Sequence, residues 1–160
     1  MDVEAKIQSL GLALPAPVRL PPTASIPFAW ARAYGDRVYI SGHGPLMTDG
    51  SLLLPLGKVG SDVSLEQACV AARAATLAAL SSLQRLIGDL DRVSAWLSLS
   101  GMVNVAPGFI QTTDVINACS DLLLELYGPE IGKHARTAIG MAQLPMNLPV
   151  VISAEVAIRA

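Results

Sequence analysis

The stretch SLEQACVAARAATLAALSSLQRLIGDLDRVSAWLSLSGMVNV, residues 64–105, holds a helix and a strand back to back. It opens on Ser64-Leu65-Glu66-Gln67, a capping box with Ser64 as N-cap and Gln67 at the third helical position. Leu65, Ala68, Ala72, Ala75, Ala79, Leu83 and Leu86 then recur every three or four residues, the spacing of one helical face. This predicts a long helix to Ile87, ended by Gly88, whose alanines allow close approach to a sheet. From Asp91 to Val105 the period changes to two. Val93, Ala95, Leu97 and Leu99 are expected on one side of a long strand; Ser94, Trp96, Ser98 and Ser100 on the other.

Upstream, FAWARAYGDRVYISGHGP (28–45) reads as a hairpin, with runs 28–34 and 37–42 joined through Gly35-Asp36. Before it, Val3, Ile7 and Leu10 predict a short helix over 2–10 that stops at Gly11. Pro15, Pro17, Pro21, Pro22 and Pro27 make 12–27 an extended connector. Residues 46–61 read as a loop with a short strand near Gly57–Gly60. Downstream, Pro107 opens a second helix to Tyr127 and Gly128 stops it. Its core face is Phe109, Ile116, Leu123 and Tyr127; its solvent face is Asp114, Asp121 and Glu125. Residues 136–144 and 149–159 read as two last strands, with Pro145 and Asn147 in the turn. The expected fold is α/β of the α+β kind: a mixed sheet with two long helices on one face. The other face needs cover, which a second subunit could supply.

Composition narrows the partners. Of 160 residues, 52% are hydrophobic and 15% charged, which favours burial of surplus apolar surface between subunits. Net charge is −2, the 11 basic residues are scattered, and 4% of residues are aromatic. That argues against a nucleic-acid partner, which needs a basic track and stacking platforms. No run reaches the roughly 18 apolar residues of a membrane span. Cys69 and Cys119 fall inside helical patterns and read as small core side chains of a reducing compartment. MDVEAKIQSLG lacks the apolar core of a signal peptide, so a cytoplasmic location is expected. No His, Cys or carboxylate group has metal-ligand spacing, and GHGP does not lead into a helix as a phosphate loop would. We therefore expect neither a metal nor a cofactor.

Five segments carry a resemblance: GDRVYISGHGP, VGSDVSLEQACVAAR, GDLDRV, VINACSDLL and HARTAIGMAQLP. In this order and spacing they resemble the reactive intermediate deaminase family, the Rid or YjgF-type proteins often labelled L-PSP endoribonucleases. The resemblance covers about residues 28–158 and implies a chorismate-mutase-like fold and a homotrimer with clefts between subunits. Residues 28–160 would form the Rid-like domain. Residues 1–27, helix and connector, look like the extension of a divergent branch. Active members hydrolyse 2-imino acids or their enamine tautomers to 2-oxo acids without a cofactor.

Arg136, in HARTAIG, stands out before any resemblance, because its planar guanidinium can grip a carboxylate with two bonds. The plainer reading is a surface arginine at a strand end. The resemblance places Arg136 on the family's substrate-binding arginine, the residue expected to carry the chemistry. Phe28 falls on a cleft tyrosine and lacks its hydroxyl, a core aromatic at the strand start being the competing reading. Ser41 and Gly42 match a strand-exit motif that shapes the pocket, the competing reading being a plain turn. Asn117 matches a helix asparagine, a residue that mid-helix usually makes a specific hydrogen bond. His134 precedes Arg136 by two residues, so both would face one side of a strand. The competing account of His134 and of His43 is a solvated loop side chain. The family's usual glutamate positions hold Val151 and Ser153. Glu155 shares a face with Val151 but lies about 13 Å along the strand. The resemblance thus implies a deaminase weakened by loss of its acid/base group; the alternative is a non-catalytic protein that binds a small carboxylate or imino acid in the same cleft.

Overall fold

The computed structural model describes residues 2–160. The elements in chain order are α1 (Val3–Ser9), β1 (Ala31–Tyr34), β2 (Arg37–His43), α2 (Leu65–Ile87), β3 (Val93–Asn104), α3 (Thr112–Ile131), β4 (Ala135–Met141) and β5 (Val150–Ile158). The strands form one five-stranded sheet in the order β1-β2-β5-β3-β4. All neighbours are antiparallel except β3 and β4. A parallel pair cannot be joined by a tight turn, and α3 is the crossover that joins this one.

Both long helices lie on one face, as expected. The α2 capping box forms: Ser64 Oγ accepts from Gln67 N at 3.1 Å and Gln67 Oε1 from Ser64 N at 3.0 Å. Ala68, Ala72, Ala75, Ala79 and Leu83 are buried, but Leu86 is exposed and Ile87 takes the buried position of the last turn. The second helix begins at Thr112 rather than after Pro107, and at Gly128 the backbone leaves helical geometry (φ 73°, ψ 174°) before one further turn. Residues 28–30 precede β1 rather than belonging to it, and β4 ends at Met141. Near Gly57–Gly60 there is no strand; Val59 makes only isolated bridges, to Val63 and Val105. The turn before β5 holds Met146 and Asn147 in left-handed geometry.

Three register shifts correct the simple alternation, two in β3 (Val93/Ala95 and Trp96/Ser98) and one in β2 (Ile40/His43). Against β5, β3 places Trp96 opposite Val156 and Ser98 opposite Glu155, so Leu97 is the extra residue. Trp96 therefore turns under the helices with Val93 and Leu99 instead of pointing away with Ser98. In β2, Ile40 pairs with Ala154 and His43 with Ile152: three steps against two. His43 is carried to the helix side by that slip.

The N-terminal helix closes one end of the core. Asp2 caps it, Val3 and Ile7 are buried, and Glu4 accepts from Leu90 N and Gln84 Nε2, each at 3.0 Å. In the sheet's centre, Gly101 lies under Ile116 of α3. A Cβ there would sit 2.5 Å from Ile116 Cγ1. We predict that Gly101→Ala destabilises the fold by about 1–3 kcal/mol through overpacking, read as a lower urea midpoint with an unchanged slope.

Candidate functional site

Sheet register divides the anticipated residues between two faces. Leu99 pairs with Arg136 on one side and Ala154 on the other, and Leu99 is buried beneath the helices. Arg136 therefore points to the helix-covered face. Ser100 pairs with both Thr137 and Ser153, so Ser153 lies on the opposite face, away from Arg136. Val151 shares that opposite face. Within one chain, neither old glutamate position shares a cleft with Arg136.

On the helix side, four residues converge. Arg136 Nη1 donates to Asn117 Oδ1 at 2.8 Å and to Ser120 Oγ at 3.0 Å. Ser120 Oγ lies 2.9 Å from His134 Nε2, and His134 Nδ1 lies 2.8 Å from the carbonyl of Gly132. A carbonyl only accepts, so Nδ1 carries a hydrogen. In the neutral ring Nε2 then accepts the hydroxyl hydrogen of Ser120, whose oxygen accepts from Arg136. Asn117, His134 and Arg136 are thus brought together as the sequence suggested, and His134 is a half-buried hydrogen-bonded ring rather than a solvated one. Ser120 was not anticipated, although it lies one helical turn from Asn117. Among the described residues no carboxylate forms an ion pair with Arg136.

Phe28 and Gly42 lie elsewhere, on a cavity of about 660 Å³ that also touches Trp30, His43, Ser82, Arg85 and Val151. Phe28 and Trp30 meet edge to face with centroids 4.9 Å apart. Ser41 ties the strand entry down by donating to Ala29 O at 2.6 Å. Val151 Cγ1 is 3.0 Å from where a Cβ on Gly42 would stand, so a larger residue there requires the Val151 side chain to give way. From β2 to β4 there are three strand spacings, about 14 Å.

His43 is no loop side chain. It is 5% exposed, with Nδ1 2.6 Å from Ser41 O and Nε2 2.8 Å from Ser82 Oγ. Arg85 Nη2 donates to the same Ser82 oxygen at 3.0 Å. Burial holds the imidazole below its usual range; the Ser41 carbonyl opposes this and the Arg85 charge reinforces it. Glu155 is taken by Arg37 at 2.7 Å. Both cysteines are chemically quiet. Cys119 is buried, donates to Ala72 O, and is pushed up to about 11 chiefly by burial; Cys69 is raised for the same reason. No described helix is long and apolar enough to cross a membrane.

The architecture defines a class: a five-stranded α+β domain with two crossing-over helices on one face and arginines set against helix serines. The family model described as "YjgF/chorismate mutase-like, putative endoribonuclease" matches residues 6–156, and the chain belongs to that family. It is 36% identical over 154 residues to Protein TCP17 of Trypanosoma cruzi, covering 96% of this chain and 92% of that one. Among solved structures it resembles Atu1372 of Agrobacterium tumefaciens, a protein of unknown function (33% identity, TM-score 0.86, 99% of this chain and 92% of that one). A protein from Shewanella oneidensis bearing the same endoribonuclease description is similar too (28% identity, TM-score 0.87, 99% and 100%). These matches take in α1 and the connector.

The buried histidine makes stability pH-dependent. Unfolded His43 takes a proton as pH falls through about 6.5, whereas the folded, buried ring resists it. Stability contributed by the neutral ring is therefore present above pH 6.5 and declines below it, by at most about 1.4 kcal/mol per pH unit. We expect His43→Gln to flatten the fall in urea midpoint between pH 7.5 and 5.5 relative to the unaltered protein.

Proposed function

We propose that the protein anchors a small carboxylate at Arg136 and hydrolyses 2-imino acids there, slowly and without a cofactor. The observation that carries this is a guanidinium fixed by Asn117 and Ser120 with neutral partners only. Its charge is left for a ligand. A carboxylate gripped by Arg136 leaves the imine carbon open to water. Water oxygen adds to that carbon, the nitrogen takes up protons and departs as ammonia, and the carbonyl of the 2-oxo acid forms. In this reading Phe28, Ser41 and Gly42 come from a second copy. They lie on the far side of the sheet in the same chain, so a cleft uniting them with Arg136 needs a subunit boundary. A homotrimer closes such heterologous contacts into a ring. It would also cover Tyr39 and Ile139 of the sheet's open face, both 47% exposed.

One observation favours a second reading, a binding protein without turnover. Among the described residues no carboxylate forms an ion pair with Arg136, and Val151 can neither accept a proton nor orient a water. A positioned acid or base supplies typically ~10²–10⁴-fold.

Two variants test these readings. Arg136→Ala should weaken pyruvate binding about tenfold or more, since a charge-assisted pair contributes on the order of 1.5–3 kcal/mol. Unchanged calorimetric affinity in an intact oligomer would place the anchor elsewhere. Val151→Glu should raise the rate on 2-aminoacrylate-derived imine if a neighbour's Arg136 faces it; an intact, ligand-binding trimer that gains nothing would leave the binding role. Sedimentation at micromolar concentration checks the trimer directly, and a monomer would exclude the shared cleft.

A further inference from the structure

The cavity behind Phe28 has a cation of its own. Arg85, near the end of α2, sits on its wall, and its guanidinium makes three hydrogen bonds. Nη1 reaches Ser81 Oγ at 2.6 Å and Pro15 O at 3.5 Å, and Nη2 reaches Ser82 Oγ at 3.0 Å. All three acceptors are neutral. A guanidinium has five N–H groups, so two remain without a protein acceptor among the described residues. No carboxylate pairs with Arg85 among the described residues, and no acidic side chain lines the cavity.

The remaining walls are apolar. Val18, Leu20 and Ile26 come from the proline-rich connector, and Leu46, Leu52 and Leu148 from the loops flanking β2 and β5. At about 660 Å³ the space falls in the range of small-molecule sites. A ligand whose apolar surface covers this cation would leave it unpaired in a poorly hydrated place unless the ligand also brings an anion. Arg85 itself is exposed, so its free N–H groups are open to a ligand arriving from solvent, and partial desolvation lowers its pKa. His43 adds geometry. Its Nδ1–H is fixed on Ser41 O, so the neutral ring accepts the Ser82 hydrogen and the Ser82 oxygen faces Arg85. Ser82 is 6% exposed and His43 5%, so this prop is rigid and buried.

We propose that this cavity binds a monocarboxylate with a long apolar body, the carboxylate on Arg85 and the body along the connector. The cation is Arg85 of the same chain; because Phe28, Gly42 and Val151 also line this cavity, the site adjoins the cleft that a neighbour's Arg136 would complete in the reading above.

Calorimetry on the full chain with butanoate, hexanoate, octanoate and octan-1-ol tests it. Affinity should rise about fourfold per added methylene, from the transfer free energy of a buried CH₂. Octanoate should bind at least tenfold more tightly than octan-1-ol. In Arg85→Gln, which keeps donors for Ser81 and Ser82, octanoate should lose that advantage over the alcohol. A flat response to chain length, or equal binding of octanoate and octan-1-ol by the unaltered protein, overturns the proposal without recourse to a variant. So does an octanoate preference that survives in Arg85→Gln. Arg136→Ala is titrated in parallel and should weaken pyruvate binding while keeping the octanoate preference; loss of that preference in Arg136→Ala would put the carboxylate on the neighbour's Arg136 and overturn this proposal.

Discussion

The distance between helices and sheet governs what this chain can do. Alanines on α2 and Gly101 on β3 let the helices sit low on the strands. Serine is a short side chain, and only at that closeness can a helix hydroxyl reach a strand residue. Ser82 of α2 then meets His43 of β2, and Ser120 of α3 meets the Arg136 strand. Larger residues at the small positions would lift the helices and break both contacts. Packing and polar chemistry are one constraint here.

The same construction appears twice. In each case a histidine Nδ1 faces the carbonyl two residues earlier, a helix serine bridges to Nε2, and an arginine donates to that serine. One set lies at the β4 edge and the other beside β2. Each holds a guanidinium with no carboxylate partner among the described residues. A charge set opposite neutral oxygens is stabilised less than in an ion pair, and both arrangements share that property.

Local patterns were legible where one signal decides one element. Ser64 and Gln67 announce the start of α2, and its alanine spacing announces the buried face. Arg136, Asn117 and His134 were picked out from residue chemistry and resemblance, and they meet. The bulges were not legible, because one extra residue in a strand leaves no mark on composition; Trp96 and His43 were both misplaced for that reason. Arg85 was missed because a basic residue in a helix's last turn is ordinary. Only the connector folding across α2, a contact between distant segments, gives it a cavity. Ser153 shows a different limit: resemblance supplies a position, but the parity of the strand decides the face, and within one chain that face is opposite Arg136.

Each bridging serine has a single hydroxyl hydrogen, and in the neutral ring the imidazole takes it. The surface offered to a visitor at either arginine is therefore built of N–H groups, with no O–H to give. Molecules are sorted by the lone pairs that they bring. A carboxylate brings about four acceptor directions, an amide oxygen two, an ammonium none. The serines act as spacers that hold the positive group in place while hiding the ring nitrogen behind it. In the proposed readings, selection by charge sign is written into the direction of two hydrogens.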